Sequence, residues 1–211
     1  MNSFTPFIKL LLMLFVLSVQ TSYAQLPSVV LRSMDGKEVK TDTLSNNGKP
    51  IIIDFFATWC KPCNRELDAI KDEYEDWVEE TGVRLIAVSI DQAQNINKVK
   101  PMVDSKGWPY DVLLDPNSDF CKALGIQMIP YTLIVDGAGK IVYKHNGYTD
   151  GAEQELIEKV RELVKKWKGL TPNPSPKGEG SSIKDLKDLK GFLNLETWNQ
   201  HEVPWRVKSE K

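Results

Sequence analysis

Two cysteines separated by two residues follow an apolar run, and no other feature constrains the chain as strongly. Residues 51–56 are apolar except for Asp54 and are predicted to form a fully buried strand. Residues 64–80 have apolar side chains at helical spacing. Cys60 and Cys63 therefore lie where a strand ends and a helix begins. The positive end of a helix stabilises a thiolate, so the pattern predicts a redox-active pair that opens and closes a disulfide.

A zinc half-site and a structural disulfide are the alternatives for this pair. A structural zinc site usually needs a second cysteine pair or a histidine pair, and Cys121 is the only other cysteine. His145 and His201 also lack the spacing of metal ligands. We therefore predict no metal and no other cofactor. Cys121 is expected to be a small buried hydrophobe, with a regulatory or intermolecular thiol as the alternative.

Residues 1–24 are predicted to be a secretory signal peptide. Lys9 precedes an apolar run over residues 10–19, and small residues follow before Ala24. The run is shorter than the roughly 20 residues of a membrane span, and an uncleaved anchor is the alternative. We therefore expect a periplasmic or otherwise exported protein. In an oxidising compartment, a chain with only three cysteines favours a catalytic pair over a structural one.

Residues 25–168 are predicted to form one α/β domain, because strand and helix patterns alternate along them. The sequence Asp35-Gly36 predicts an N-terminal hairpin. The expected fold is a central sheet with helices on both faces, and Pro101 is expected to weaken or kink the second helix. The remaining predicted strands are 28–32, 38–40, 83–90, 110–114, 131–135 and 141–144, and the remaining helices are 96–106, 117–124 and 151–167.

Two helices are predicted to bury one apolar face each. The first would bury Leu67, Ile70, Tyr74, Trp77 and Val78, and the last Leu156, Val160, Leu163, Val164 and Trp167.

The C-terminal part differs in composition from the domain. Residues 169–182 are rich in proline and glycine and are predicted to be a linker. Residues 183–211 are charged and predict a mobile tail, although Trp198 and Trp205 allow docking on a partner or on the domain. The net charge of -2 gives no reason to expect a nucleic-acid partner.

The buried strand, the sequence Trp59-Cys60-Lys61-Pro62-Cys63, the following helix and the later Ile129-Pro130 together resemble the thioredoxin superfamily. The N-terminal hairpin and residues 92–116 are similar to the exported TlpA/ResA-type thioredoxins. The resemblance covers residues 26–167. It implies a thioredoxin-like fold with a mixed sheet, and we expect a monomer.

The resemblance also implies roles for the cysteines and two acids. Cys60 would be the nucleophile and Cys63 the resolving cysteine, and the two would form the disulfide. Asp54 matches a buried acid that moves protons for the resolving cysteine. A functional role also agrees with its position, because a carboxylate inside an apolar strand is costly unless it has a task or a partner. An edge-facing acid is the alternative. Glu66 matches a glutamate that affects cysteine acidity in ResA-like proteins, with an ordinary surface acid as the alternative.

Five further residues are expected to bind substrate. Lys61 places a positive charge beside the thiolate, unless it is an ordinary surface lysine, and Pro62 suits the first turn of a helix. Trp59 would cover the cysteine pair, or pack in the core. The bond between Ile129 and Pro130 is expected to be cis and to present backbone to the substrate, as the family implies.

The expected function is an exported thiol-disulfide oxidoreductase that reduces protein disulfides with electrons from a membrane donor. A peroxiredoxin-like peroxidase is one alternative, but its Pro-x-x-x-Thr-x-x-Cys pattern fails at Ile53 and Ala57. A copper-delivery protein would have three residues between its cysteines. The sequence also allows a redox sensor, or an interaction module that works through the tail.

Overall fold

The computed structural model describes residues 24–170, with side chains described as far as Trp167. The predicted signal peptide up to residue 23 and the predicted linker and tail from residue 171 lie outside the described residues. His201, Trp198 and Trp205 lie outside them as well. Among the helices that are described, none is long and apolar enough to cross a membrane.

The described residues form seven strands and four α-helices in one α/β arrangement, which confirms the predicted fold class. The elements in chain order are β1 (Val30–Ser33), β2 (Glu38–Lys40), β3 (Ile51–Phe56), α1 (Lys61–Thr81), β4 (Arg84–Ser89), α2 (Val99–Lys106), β5 (Asp111–Leu114), α3 (Asp119–Leu124), β6 (Tyr131–Val135), β7 (Ile141–Asn146) and α4 (Ala152–Leu170).

The strands form one mixed sheet in the order β2-β1-β5-β4-β3-β6-β7. Strands β3, β4 and β5 run parallel, whereas β6 lies antiparallel to β3. Strand β3 is therefore an interior strand, with β4 on one side and β6 on the other, which explains why every residue in it is buried and why its sequence is almost continuously apolar. The predicted N-terminal hairpin is present as β1 and β2.

The two faces of the sheet carry different helices. Side chains alternate along β3, so Ile52, Asp54 and Phe56 point to one face and their neighbours to the other. Helices α1, α2 and α4 pack on the face of Ile52 and Phe56. Helix α3 and the N-terminal segment pack on the other face. The cysteine pair lies at the start of α1, so it follows the end of β3 and is on the same face of the sheet as Asp54.

Several details of the helices differ from the sequence expectations. Helix α1 begins at Lys61 rather than at residue 64, because Cys60 caps it. Val78 and Trp167, both predicted to be buried, are 40% and 51% exposed. Pro101 does not interrupt a helix, since it is the third residue of α2 and its missing N–H has no intrahelical partner there. A separate 3-10 turn, Ile96–Lys98, precedes α2.

Candidate active site

The cysteine pair caps the first turn of α1. Cys60 is the N-cap residue, and its sulfur accepts a hydrogen bond from the backbone N–H of Cys63 at 3.3 Å. The two sulfurs form a disulfide, with 5.4 Å between the Cα atoms. Cys60 keeps 5% of its surface exposed and Cys63 keeps none. The sulfur of Cys60 therefore lies at the positive end of the helix, with Cys63 shielded beside it.

Three residues that were expected to bind substrate lie next to the cysteine pair in the sequence. Pro62 lies in the first turn of α1, where a proline removes no helical hydrogen bond. Lys61 is exposed. Trp59 is also exposed, at 64% of its surface, so it is not packed into the core.

A buried aspartate that the sequence expectations missed holds the loop before Cys60. Asp91 follows β4, and its carboxylate accepts hydrogen bonds from the backbone N–H and the hydroxyl of Thr58, both at 2.7 Å. It also accepts one from the Ser89 hydroxyl at 3.0 Å. Asn64, on the first turn of α1, donates to the Thr58 carbonyl at 3.3 Å. These hydrogen bonds connect the loop to the end of β4 and to the first turn of α1. The sequence feature that could have identified Asp91 is its place among polar residues that directly follow an apolar strand.

Asp54 is completely buried, and neither of its carboxyl oxygens forms a hydrogen bond of ordinary length and angle. Burial raises the pKa of Asp54 well above its usual range, and the negative charge of Glu66 raises it further, whereas the Thr132 hydroxyl acts in the opposite direction. The alternative of an edge-facing acid is wrong, because β3 is an interior strand and Asp54 has no exposed surface. The site therefore contains a carboxyl that favours its protonated form.

Glu66 is only 3% exposed, so the alternative of an ordinary surface acid is also wrong. It lies three residues after Cys63, on the buried face of α1. Burial raises the pKa of Glu66 to about 7, although the Thr132 hydroxyl, which donates to Oε1 at 3.0 Å, acts in the opposite direction. The structure thus brings two coupled acids together on the face of the sheet where α1 packs.

A groove opens at Trp59, the residue before Cys60, although neither Cys60 nor Cys63 lines it. The bond between Ile129 and Pro130 is cis, as expected. The half-buried side chain of Ile129 forms part of the groove, together with the exposed side chains of Trp59 and Met128. The groove has a volume of about 420 Å³, and its remaining lining residues are Ile90, Ser118, Cys121, Lys122, Ile126 and Gln127.

Cys121 is buried and forms no disulfide. Burial raises the pKa of its thiol to about 12, and the nearby charge of Asp115 adds to the effect. Since the thiolate is the reactive form, Cys121 is a poor nucleophile at neutral pH. It packs with Phe120 on the α3 face, which confirms the expectation of a small buried hydrophobe.

Comparison with known proteins agrees with this geometry. The family model described as AhpC/TSA family matches residues 23–144. The chain belongs to the AhpC/TSA family. A thiol-disulfide oxidoreductase named ResA from Halalkalibacterium halodurans is 29% identical over 141 residues, which are 67% of this chain and 76% of that protein. ResA from Bacillus subtilis is 28% identical over 139 residues, which are 66% of this chain and 73% of that protein.

Solved structures show the same fold. A thioredoxin-like protein from Porphyromonas gingivalis is 62% identical, with a TM-score of 0.62 over 69% of this chain and 95% of that one. A protein from Bacteroides thetaiotaomicron described as a putative protein disulfide isomerase is 27% identical, with a TM-score of 0.58 over 70% of this chain and 92% of that one. This chain is accordingly a thioredoxin-like thiol-disulfide oxidoreductase of the ResA type.

Within residues 24–170, no three His, Cys, Asp or Glu side chains are grouped so that they could hold a metal ion. His145 lies on β7, opposite Thr132 in the strand register.

Proposed function

We propose that this chain is an exported reductant of protein disulfides that works through Cys60 and Cys63. One observation carries the proposal: the sulfur of Cys60 caps α1, and Cys60 keeps 5% of its surface exposed whereas Cys63 keeps none. The neighbouring groove has apolar walls at Trp59, Met128 and Ile129, which suit an extended peptide segment around a substrate disulfide. The relatives named thiol-disulfide oxidoreductase support the same chemistry.

The proposed reaction consists of two thiol-disulfide exchanges. In the reduced protein the Cys60 thiolate attacks one sulfur of the substrate disulfide, and the other substrate sulfur leaves as a thiolate. Cys63 then loses its proton, and its sulfur attacks the Cys60 sulfur. This step releases the second substrate sulfur and forms the Cys60–Cys63 disulfide present in the structure. Two electrons pass from the cysteine pair to the substrate.

We assign to Asp54 the proton that Cys63 loses. Asp54 lies on the strand that leads to the cysteine loop, and Glu66 lies one helical turn after Cys63. A carboxylate with a raised pKa is a stronger base than an ordinary one, so burial prepares Asp54 for this transfer. The negative charge of Glu66 raises the pKa of Asp54 and so affects how readily Asp54 takes up this proton.

Export and electron supply complete the proposal. The apolar run before Ala24 supports secretion through a signal peptide. An oxidising compartment would not keep the pair reduced, so a reductant there needs a continuous electron source. A membrane-bound donor is the simplest such source.

The roles of the two cysteines are distinguished by single replacements. Cys60→Ser is expected to abolish the reduction of insulin disulfides, because the attacking sulfur is lost. Cys63→Ser is expected to accumulate mixed disulfides between Cys60 and insulin, which non-reducing gels and mass spectrometry detect. Iodoacetamide that labels Cys63 before Cys60 in the reduced wild type would contradict the assignment.

The direction of electron flow is tested by the reduction potential of the cysteine pair. The purified protein is equilibrated with glutathione buffers, and the oxidised fraction is measured by thiol alkylation. A reductant is expected to have a potential of about -250 mV or lower. A potential of about -120 mV would identify an oxidant and would overturn the proposed direction of electron flow.

The role of Asp54 is tested with Asp54→Asn, which keeps the size of the side chain and removes the base. General base catalysis contributes about 10²-fold or more, so a loss of at least about tenfold near pH 7 is expected. Part of the rate should return toward pH 9, where hydroxide replaces the carboxylate. Asp72→Asn, an exposed change on α1, is the matched control. Equal turnover of Asp54→Asn and wild type from pH 6 to 9 would refute the role.

A further inference from the structure

Thr132 lies between the two buried acids. It is directly opposite Asp54 in the antiparallel pairing of β3 and β6, so the two side chains share one face of the sheet. Its hydroxyl donates to Glu66 Oε1 at 3.0 Å. Thr132 is itself 1% exposed. A single hydroxyl thus lies next to both carboxyls.

Asp54 needs a route by which its proton leaves. Under the proposed function Asp54 receives one proton in every turnover, yet it is completely buried, and the group whose hydrogen bonding lowers its pKa is the Thr132 hydroxyl. Glu66 is the less deeply buried of the two acids, because 3% of its surface is exposed, although its Oε2 atom is itself buried. Glu66 is also close enough to Glu153 on α4 for the negative charge of Glu153 to raise its pKa.

We propose that the Thr132 hydroxyl relays protons between Asp54 and Glu66, and that Glu66 exchanges them with water. The proposal rests on the proposed function, because it concerns the proton that Cys63 delivers. A hydroxyl has one proton to donate and two lone pairs that accept. Protonated Asp54 gives its proton to Thr132 Oγ1, and the Thr132 hydroxyl proton passes to Glu66 Oε1. Asp54 becomes a carboxylate, Glu66 becomes a neutral acid, and Thr132 is chemically unchanged.

Groups from each neighbouring element surround this relay. Cys63 precedes Glu66 on α1, Glu153 approaches from α4, and His145 lies next to Thr132 in the register of β7. Tyr110, directly before β5, is close enough to Asp54 for the negative charge of Asp54 to raise its pKa. Its hydroxyl donates to the Leu67 carbonyl at 2.8 Å, so its proton is already engaged. Thr132 is therefore the hydroxyl placed to connect the two acids.

The pKa of Glu66, about 7, suits the second half of the route. At neutral pH such an acid holds and releases a proton with comparable ease, as efficient proton transfer requires. When they are ionised, Asp54 and Glu153 each place a negative charge near Glu66, and these charges disfavour the loss of the Glu66 proton.

The test replaces Thr132 with valine, which has the same shape but no hydroxyl, and with serine, which keeps the hydroxyl. The reduced proteins are oxidised by glutathione disulfide, and the resolution step is followed by rapid quench from pH 6 to 9. Thr132→Val is expected to lower that rate about tenfold or more near pH 7, with partial recovery toward pH 9. Thr132→Ser should restore most of the rate. Thr81→Val is the matched control, because the Thr81 hydroxyl is also buried but bonds to the Trp77 carbonyl at the end of α1.

The outcomes separate the relay from the proposed function. A normal rate in Thr132→Val together with a slow Asp54→Asn would overturn the relay and leave the role of Asp54 intact. Normal rates in both variants would refute the role of Asp54 as well. Equal losses in Thr132→Val and Thr132→Ser would show that packing matters rather than the hydroxyl, and would overturn the relay.

A measurement on the wild type keeps the proposal testable if Thr132→Val does not fold. The resolution rate is measured in mixtures of H₂O and D₂O. A relay through the hydroxyl moves two protons together, so the rate should depend on the deuterium fraction along a curve. A straight line would indicate one proton in motion and would overturn the relay.

Discussion

Two carboxyl groups buried without full hydrogen bonding are the constraint on which the site depends. An ionised carboxylate in such a place is costly, so burial raises the pKa of Asp54 and Glu66 instead. The coupling between the acids strengthens the effect, because two nearby negative charges disfavour each other. The fold keeps this arrangement by placing Asp54 on the interior strand β3 and Glu66 on the buried face of α1. The active site thereby gains two carboxyls with raised pKa values, of which that of Glu66 is about 7.

Much of this framework was predictable from local sequence signals. An almost continuously apolar run predicted β3, and the cysteine spacing after it predicted a reactive pair at a helix N-terminus. The polar residue inside the run drew attention to Asp54, because carboxylates are rarely buried without a reason. The cis bond before Pro130 was expected only through the resemblance to thioredoxins, since sequence alone would predict trans.

Other parts depend on contacts that no local pattern encodes. Thr132 meets Asp54 only because β6 pairs with β3 in one particular register. Asp91 reaches Thr58 across the gap between two parallel strands. The burial of Glu66 and the exposure of Val78 depend on how α1 is rotated against the sheet, and helical spacing leaves that rotation uncertain by about one residue. The predictions for residues 1–23 and 171–211 stay predictions.

The proposed chemistry rests on one expectation, that Asp54 and Glu66 titrate as a coupled pair. It is tested most directly by following the side-chain carboxyl carbons of both residues by NMR as a function of pH in the oxidised protein. We expect both carboxyls to titrate above their ordinary pKa values of about 3.9 and 4.3, with Glu66 at about 7, and each signal to respond also to the ionisation of the other acid. Independent titrations at the ordinary values would contradict it.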